Sequence, residues 1–308
     1  MPKVIKTIKL TVFFILLVIA QFDAYSQVKS HTSISTIHPI ELIKNHYKDI
    51  SLLSPQKREA YSWMDTILYP PEDYIAFTLV HALNAPHYLT SSQVEFIVNS
   101  VEFPANSSKQ TRAELDFLLT LQKERTAEQT ERVMKIADIG YWPSSNYTKT
   151  HPRYKENLEE LFFMTKEVFN EKYSATNYPK TAKLLTGVMN DTRLIEFAIK
   201  FNLLRVRPYH LDSSITPLSE IPTPSFASGH TLWAYSIAYS MSELIPEKRN
   251  EYLELAYEIG LSREIMGVHF PSDEEMARQV AHRMMMLMWH TDKFQKDFAE
   301  AKSEWEDK

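Results

Sequence analysis

The chain has 308 residues, a net charge of −5, and 44% hydrophobic and 24% charged residues. The net negative charge excludes nucleic acid or an anionic membrane as a partner held by overall charge, so any bound anion requires a local cluster of cations. The lack of cysteine excludes thiol catalysis, disulfides and thiolate metal sites, and the 5 glycines form no cluster of the kind that phosphate loops and dinucleotide folds need.

Residues 1–26 are typical of an export signal. Lysines precede an apolar run over residues 10–20, and small residues follow the run at Ala24 and Ser26. We predict cleavage before Gln27, a periplasmic or secreted location, and no stable membrane insertion after cleavage. A retained anchor is the alternative, although the run is shorter than the roughly 20 residues that a spanning helix needs.

Beyond the signal, apolar residues recur at helical spacing, and no segment alternates like a strand of a β-sandwich. The sequence therefore predicts an all-α fold, a single-domain helical bundle. We expect a helical extension over residues 27–90 that forms one domain with a core over residues 91–300. The predicted helices cover residues 77–83, 92–98, 112–139, 191–206, 228–244, 247–266 and 271–298.

Two of these helices begin with capping signals. Asp191 is a preferred N-cap residue and is predicted to cap the helix over residues 191–206. Ser272 and Glu275 have the spacing of a capping box at the start of the helix over residues 271–298.

Three short segments carry residue types that suit phosphate chemistry. In the first, Lys200 and Arg207 are seven residues apart, so both side chains are predicted to project from one face of the same helix. Taken alone, this spacing is also typical of a solvated stripe of charge.

The second segment is Ser228-Gly229-His230. Gly229 allows close approach of the backbone to a ligand, and the helix that follows offers unpaired N–H groups and the positive end of its dipole to an anion. The alternative interpretation is an ordinary N-cap by Ser228 with an incidental histidine.

The third segment contains Arg263, His269 and Asp273. Asp273 is close enough in sequence to accept a hydrogen bond from one ring nitrogen of His269, which would leave the other nitrogen as a nucleophile. Arg263 adds a fork of donors for a phosphoryl group. A structural His–Asp pair is the alternative. The three segments together contain what phosphoryl transfer through a covalent intermediate requires.

The pattern Lys-six residues-Arg-Pro, Ser-Gly-His and Ser-Arg-five residues-His-three residues-Asp resembles the signature of the type 2 phosphatidic acid phosphatase superfamily. Within it, the chain looks most like the bacterial class A non-specific acid phosphatases, over roughly residues 92–288. The resemblance implies an all-α fold of the acid phosphatase and vanadium-dependent haloperoxidase type, with no metal and no other cofactor.

The resemblance also implies roles and a substrate class. His269 would be the nucleophile, Asp273 its support, and His230 the general acid and then the general base. The non-bridging oxygens of a small phosphate monoester would be held by Lys200, Arg207, Ser228, Gly229 and Arg263. One position departs from the family pattern: Ala227 stands where proline commonly precedes Ser-Gly-His, which puts substrate preference in doubt more than activity.

Three other functions compete with an acid phosphatase. A vanadate-dependent haloperoxidase would use the same anion pocket, with His269 coordinating vanadate. A lipid phosphatase of the superfamily is disfavoured because no apolar run after Gln27 reaches spanning length. A non-catalytic phosphate-binding protein would have no reason to keep His230, His269 and Asp273 together. The sequence leaves the physiological substrate and the formation of a homo-oligomer open.

Overall fold

The computed structural model describes residues 48–70, 81–139 and 152–306. No strand occurs in these residues, and the predicted all-α class is confirmed. The predicted signal over residues 1–26 and most of the helix predicted over residues 77–83 lie outside the described ranges, and the division into an extension and a core remains a prediction. The α-helices are α1 (Ser91–Asn99), α2 (Lys109–Glu124), α3 (Ala127–Ala137), α4 (Tyr154–Glu160), α5 (Phe163–Val168), α6 (Pro179–Leu203), α7 (Pro208–Leu211), α8 (Gly229–Leu244), α9 (Arg249–Ile265), α10 (Pro271–Met288) and α11 (Asp292–Lys302). Two 3₁₀ helices cover Glu59–Thr66 and Pro246–Lys248.

Helix α8 is surrounded by other helices. Glu243, near the C-terminal end, is the one Asp, Glu, Lys or Arg residue in α8, and the buried side chains of the helix include Trp233, Ile237 and Met241. A helix that is apolar all round is buried by several neighbours rather than by one, and α8 packs against α6, α9 and α10. The N-terminal end of α8 therefore lies among the segments that carry the predicted site residues.

Helix α6 holds the segment that leads into α1. At Gly187 an added Cβ would lie 2.5 Å from the ring of Tyr88, so only glycine leaves room for this segment. One turn later, the Asp191 carboxylate accepts the backbone N–H groups of His87, Tyr88 (2.8 Å) and Leu89 (2.9 Å). The prediction that Asp191 caps its own helix is wrong, because α6 begins at Pro179 and Asp191 lies in its interior.

Two predicted helices are interrupted. The helix predicted over residues 112–139 is divided into α2 and α3, since Thr126 and Gln129 form a reciprocal capping box at the start of α3. The helix predicted over residues 271–298 is divided into α10 and α11, where the Thr291 hydroxyl accepts the Phe294 N–H. Each cap satisfies N–H groups that a helix start leaves without partners, which stabilises the break.

The start of α10 also differs from the prediction. Helix α10 begins at Pro271, and the Asp273 carboxylate reaches back to accept the Phe270 N–H at 3.0 Å. Ser272 is therefore inside the helix, where its hydroxyl contacts Glu114 of α2 at 3.0 Å. The predicted capping box of Ser272 and Glu275 is wrong.

Helix α6 ends before Arg207. Leu204 adopts a left-handed conformation with φ of 51°, and its N–H donates to Lys200 O at 2.9 Å. Lys200 thus lies in the last turn of α6, whereas Arg207 lies in the extended segment before Pro208. The prediction that both project from one helix is wrong, although the turn at Leu204 brings both to the same site.

None of the helices in the described part of the chain combines the length and the apolar character that a bilayer-crossing helix requires.

We predict that Asp191→Ala lowers the free energy of unfolding by about 2–4 kcal/mol, because three backbone N–H groups lose a carboxylate acceptor in a buried setting. Urea denaturation followed by circular dichroism measures the change. Asp49→Ala serves as the control at an exposed position, and equal stability losses in the two variants would contradict the anchoring role of Asp191.

Candidate active site

Four helices and two connecting segments position the eight predicted site residues. They are Lys200 in the last turn of α6, Arg207 after it, Ser228, Gly229 and His230 at the start of α8, Arg263 in the last turn of α9, His269 between α9 and α10, and Asp273 in the first turn of α10. Lys200, Arg207, Ser228, Arg263, His269 and Asp273 are all buried. The long sequence separations are bridged because α6, α9 and α10 pack against α8.

The hydrogen bonds of His269 identify its tautomer. The Arg207 Nη1 atom lies 2.9 Å from His269 Nε2, and an arginine can only donate, so Nε2 is the acceptor. The ring hydrogen is therefore on Nδ1, which lies 3.1 Å from Asp273 Oδ2. Burial, and then the charge of Arg207, hold the pKa of His269 well below its ordinary value. His269 is a neutral imidazole with its nitrogen lone pair directed at a cation.

Besides His269, two other side chains hold Asp273. The hydroxyl of Ser225 donates to Oδ2 at 2.5 Å, and Arg205 Nη1 lies 2.6 Å from Oδ1. Burial alone would raise the pKa of Asp273, but the charge of Arg205 and the hydrogen bond from His269 lower it below its ordinary value. Asp273 is thus ionised and fixed in orientation, as a carboxylate that orients an imidazole must be.

Arg205 and Glu114 are important residues that the sequence analysis missed. The guanidinium of Arg205 is completely buried, lies 3.4 Å from Glu114 Oε2, and stacks on Phe270 with 3.9 Å between Cζ and the ring centroid. Two signals were available in the sequence: an arginine two residues before Arg207, and a glutamate on the apolar face of α2. Neither identifies its partner, because 91 residues separate the two in the chain.

Lys200 and Arg207 are anchored by neutral oxygen atoms. Lys200 Nζ donates to the carbonyls of Pro224 (2.7 Å) and Ser225 (3.1 Å). Arg207 donates through Nε to Thr223 O at 2.8 Å and through Nη1 to Val268 O at 2.8 Å. These contacts fix the cations in position without neutralising them, which suits the binding of an anion.

Burial changes the ionisation of Lys200. Burial, and then the charge of Arg207, lower the pKa of Lys200 to about 7. The lysine is therefore divided between its charged and neutral forms near neutral pH, and an anion placed next to it would favour the charged form.

The side chain of the N-cap residue Ser228 does not cap α8. The Ser228 hydroxyl contacts Thr231 Oγ1 at 3.3 Å, and no side-chain capping hydrogen bond forms at this helix start. The Ser228 N–H donates to Asp273 O at 3.3 Å, which ties the helix start to α10. Ser228 thus occupies the N-cap position without capping the helix through its hydroxyl, which leaves the predicted role of the first N–H groups of α8 in anion binding open.

His230, at the start of α8, is partly exposed. Its ring packs edge-on against Trp233, with centroids 6.2 Å apart, and it also bonds to the backbone of Ala137 at the end of α3. Burial, and then the charge of Arg263, hold the pKa of His230 well below its ordinary value. Arg263 is therefore close enough to His230 for its charge to affect the ionisation of the ring.

Comparison with known proteins gives the same family for this part of the chain. The PAP2 superfamily model matches residues 181–297. A non-specific acid phosphatase of Providencia stuartii is 32% identical over 146 residues, which cover 45% of this chain and 58% of the relative. One of Salmonella typhimurium is 27% identical over 173 residues, which cover 52% of this chain and 69% of the relative. The chain thus spans less than two thirds of the length of the Providencia relative.

Two solved structures share the fold at low sequence identity. A bacterial vanadium-dependent iodoperoxidase superposes with a TM-score of 0.54 and 14% identity, covering 80% of this chain and 64% of that one. A bacterial vanadium-dependent chloroperoxidase superposes with a TM-score of 0.51 and 11% identity, covering 71% and 55%. The fold predicted from the resemblance is confirmed, and the PAP2 superfamily model matches residues 181–297, which contain all three motifs.

Proposed function

We propose that this chain is an exported acid phosphatase that hydrolyses small phosphate monoesters through a phosphohistidine at His269. One observation carries the proposal: His269 Nε2 accepts from Arg207 while Nδ1 contacts the buried Asp273 carboxylate. This arrangement supplies an oriented, unprotonated nitrogen next to a cation, which is what in-line attack on a phosphoryl group requires.

In the first half-reaction, His269 Nε2 attacks phosphorus and the bond from phosphorus to the ester oxygen breaks. His230 gives its proton to the leaving oxygen, which departs as an alcohol. The Arg207 guanidinium exchanges its contact with Nε2 for a phosphoryl oxygen. Lys200, Arg263, the Ser228 hydroxyl and the Gly229 N–H group stabilise the charge that develops on the other non-bridging oxygens.

In the second half-reaction, water attacks the phosphorus of phosphohistidine. His230, now neutral, accepts a proton from the water, and the bond from phosphorus to Nε2 breaks. Inorganic phosphate leaves, and the Arg207–His269 contact re-forms. The histidine that acts as acid in the first step thus acts as base in the second, as reversibility demands.

The sequence relatives support a phosphatase over the alternatives. Both relatives reported above are named non-specific acid phosphatases, whereas the haloperoxidases match in fold alone. Export is supported by the charged and apolar pattern of residues 1–26. We propose a periplasmic or secreted enzyme acting on small phosphomonoesters.

His269→Ala is expected to reduce kcat for p-nitrophenyl phosphate at least about 10³-fold, because it removes the nucleophile. Quenching the wild-type reaction in alkali, in which phosphohistidine survives, should give a phosphorylated peptide that contains His269. His290→Ala, which changes an exposed histidine, is the control and should keep wild-type turnover. Normal turnover by His269→Ala would contradict the phosphohistidine mechanism. Halide oxidation with vanadate and peroxide, without phosphate release from p-nitrophenyl phosphate, would favour the haloperoxidase.

The pH profile tests the role of His230. Because its pKa is lowered and a general acid must be protonated, kcat/KM should fall as the pH rises, by at least about tenfold between pH 5 and pH 8. Arg263→Gln removes a nearby positive charge, which raises the pKa of His230 and moves the alkaline limb of the profile to higher pH. The substrate ionises identically with both enzymes. Arg249→Gln, at the exposed end of α9, is the control and should leave the alkaline limb in place. An unshifted alkaline limb in Arg263→Gln would contradict the role of His230 as the acid.

Lys200 provides a test of anion binding that does not depend on turnover. Its pKa of about 7 leaves it largely neutral at pH 8, and a bound phosphate would restore its charge. Binding of inorganic phosphate at pH 8 should therefore take up about one proton more in the wild type than in Lys200→Arg, which is charged throughout. Calorimetry in buffers of different ionisation enthalpy measures this difference, and equal uptake in the two proteins would contradict it.

A further inference from the structure

A cavity adjoins the candidate active site. Helices α8, α9 and α10 line a space of about 560 Å³. Consecutive helix residues point about 100° apart, so one turn can serve two sites. Three adjacent pairs do so, the first member belonging to the candidate site and the second lining the cavity: His230 and Thr231, Arg263 and Glu264, Asp273 and Glu274.

Two buried carboxyl groups face this cavity. Glu264 is 8% exposed and Glu274 is 7% exposed. The hydroxyls of Thr231 and Ser228 hydrogen-bond the Glu274 carboxyl group, Thr231 at Oε2, but within the described ranges Oε1 is buried without a hydrogen-bond partner. Glu264 forms no side-chain hydrogen bond to any described residue, and only burial and other carboxylates affect its ionisation. A buried carboxyl oxygen without a donor is costly, so Glu274 Oε1 has unused capacity for a ligand that donates, and the Glu264 carboxyl group lies in the same cavity.

The charges around the pair are mainly negative. Burial, and then Glu274, raise the pKa of Glu264 well above its ordinary value, and burial raises the pKa of Glu274 to about 8. Arg278 lines the cavity but is engaged by Glu275 through contacts of 2.6 and 2.8 Å. The remaining titratable groups that face or affect the pair are Glu254 and Tyr257 of α9, Tyr235 and Tyr239 of α8, Glu114 of α2, and Arg263 and Asp273 of the candidate site.

The lining also indicates the kind of cation. Tyr235, Tyr239 and Tyr257 supply aromatic walls, and tyrosine rings attract organic cations at close range. In the described ranges no three His, Asp or Glu side chains converge in a way that could hold a metal ion. A ligand with its own N–H donors would satisfy Glu264 and Glu274 together, which a metal ion at this donor set would not.

We propose that this cavity binds a primary organic ammonium ion, with its charged nitrogen between Glu264 and Glu274 and its organic part against the tyrosines. The site is distinct from the phosphate site, and the inference does not rest on the proposed phosphatase function. The ammonium donates to Glu274 Oε1 and to the Glu264 carboxyl group, and its charge offsets the repulsion between the two carboxylates.

Calorimetric titration of the full chain with 2-phenylethylammonium tests the proposal. The ammonium should bind at least about tenfold more tightly than 2-phenylethanol, the neutral alcohol of matching size, because charged hydrogen bonds are lost with the alcohol. The affinity should increase from pH 5.5 to pH 8.5, since both carboxyl groups must ionise to hold a cation. Equal affinity for ammonium and alcohol, a pH-independent affinity, or no binding would overturn the proposal.

Variants locate the bound ion. Glu264→Gln and Glu274→Gln should each weaken ammonium binding at least about tenfold. Glu251→Gln, an exposed change on the same helix α9, should not affect it. Unchanged binding in both cavity variants would place the ion elsewhere and contradict the proposal. The comparison of ammonium with alcohol uses the wild-type chain, so the test remains decisive even where a variant fails to fold.

Discussion

The ion pair between Arg205 and Asp273 is the interaction on which the arrangement of the site depends. Both side chains are completely buried, and 2.6 Å separates Arg205 Nη1 from Asp273 Oδ1. Removing one partner of such a pair typically costs about 3–5 kcal/mol, because the other charge is left buried alone. The same carboxylate fixes the ring of His269, so the stability of this region and the orientation of the proposed nucleophile share one cause. Glu114 extends the pair into a network of one cation and two carboxyl groups.

The site otherwise concentrates positive charge in a buried space. Lys200 and Arg207 are held by carbonyl oxygens, which position them and leave their charge available. Their mutual repulsion disfavours the ligand-free state, and partial loss of the Lys200 proton near neutral pH relieves it. An anion that binds this folded state stabilises it by mass action. The chain therefore has an electrostatic preference for an oxyanion despite its net negative charge.

Local patterns in the sequence predicted the fold class and helices α1, α8 and α9, whereas the roles of the eight candidate site residues stay predictions. Local patterns were insufficient wherever a distant partner decided the outcome. The interior position of Asp191 in α6 follows from backbone groups about a hundred residues earlier in the chain, and the burial of Arg205 follows from Glu114. No glycine at Leu204 signals the left-handed turn that ends α6, so the sequence analysis assigned Lys200 and Arg207 to one helix. It did predict that the two side chains lie at the same site.

Helix α2 supports the candidate site through Glu114 but lies outside the residues that the family model matches. Residues 181–297 contain all the proposed catalytic groups, yet Glu114, which contacts both Arg205 and Ser272, lies well before them. The residues that the family model matches therefore leave out a residue that helps to hold the site in shape. A change of Glu114 would leave Arg205 with one buried carboxyl partner, Asp273, instead of two.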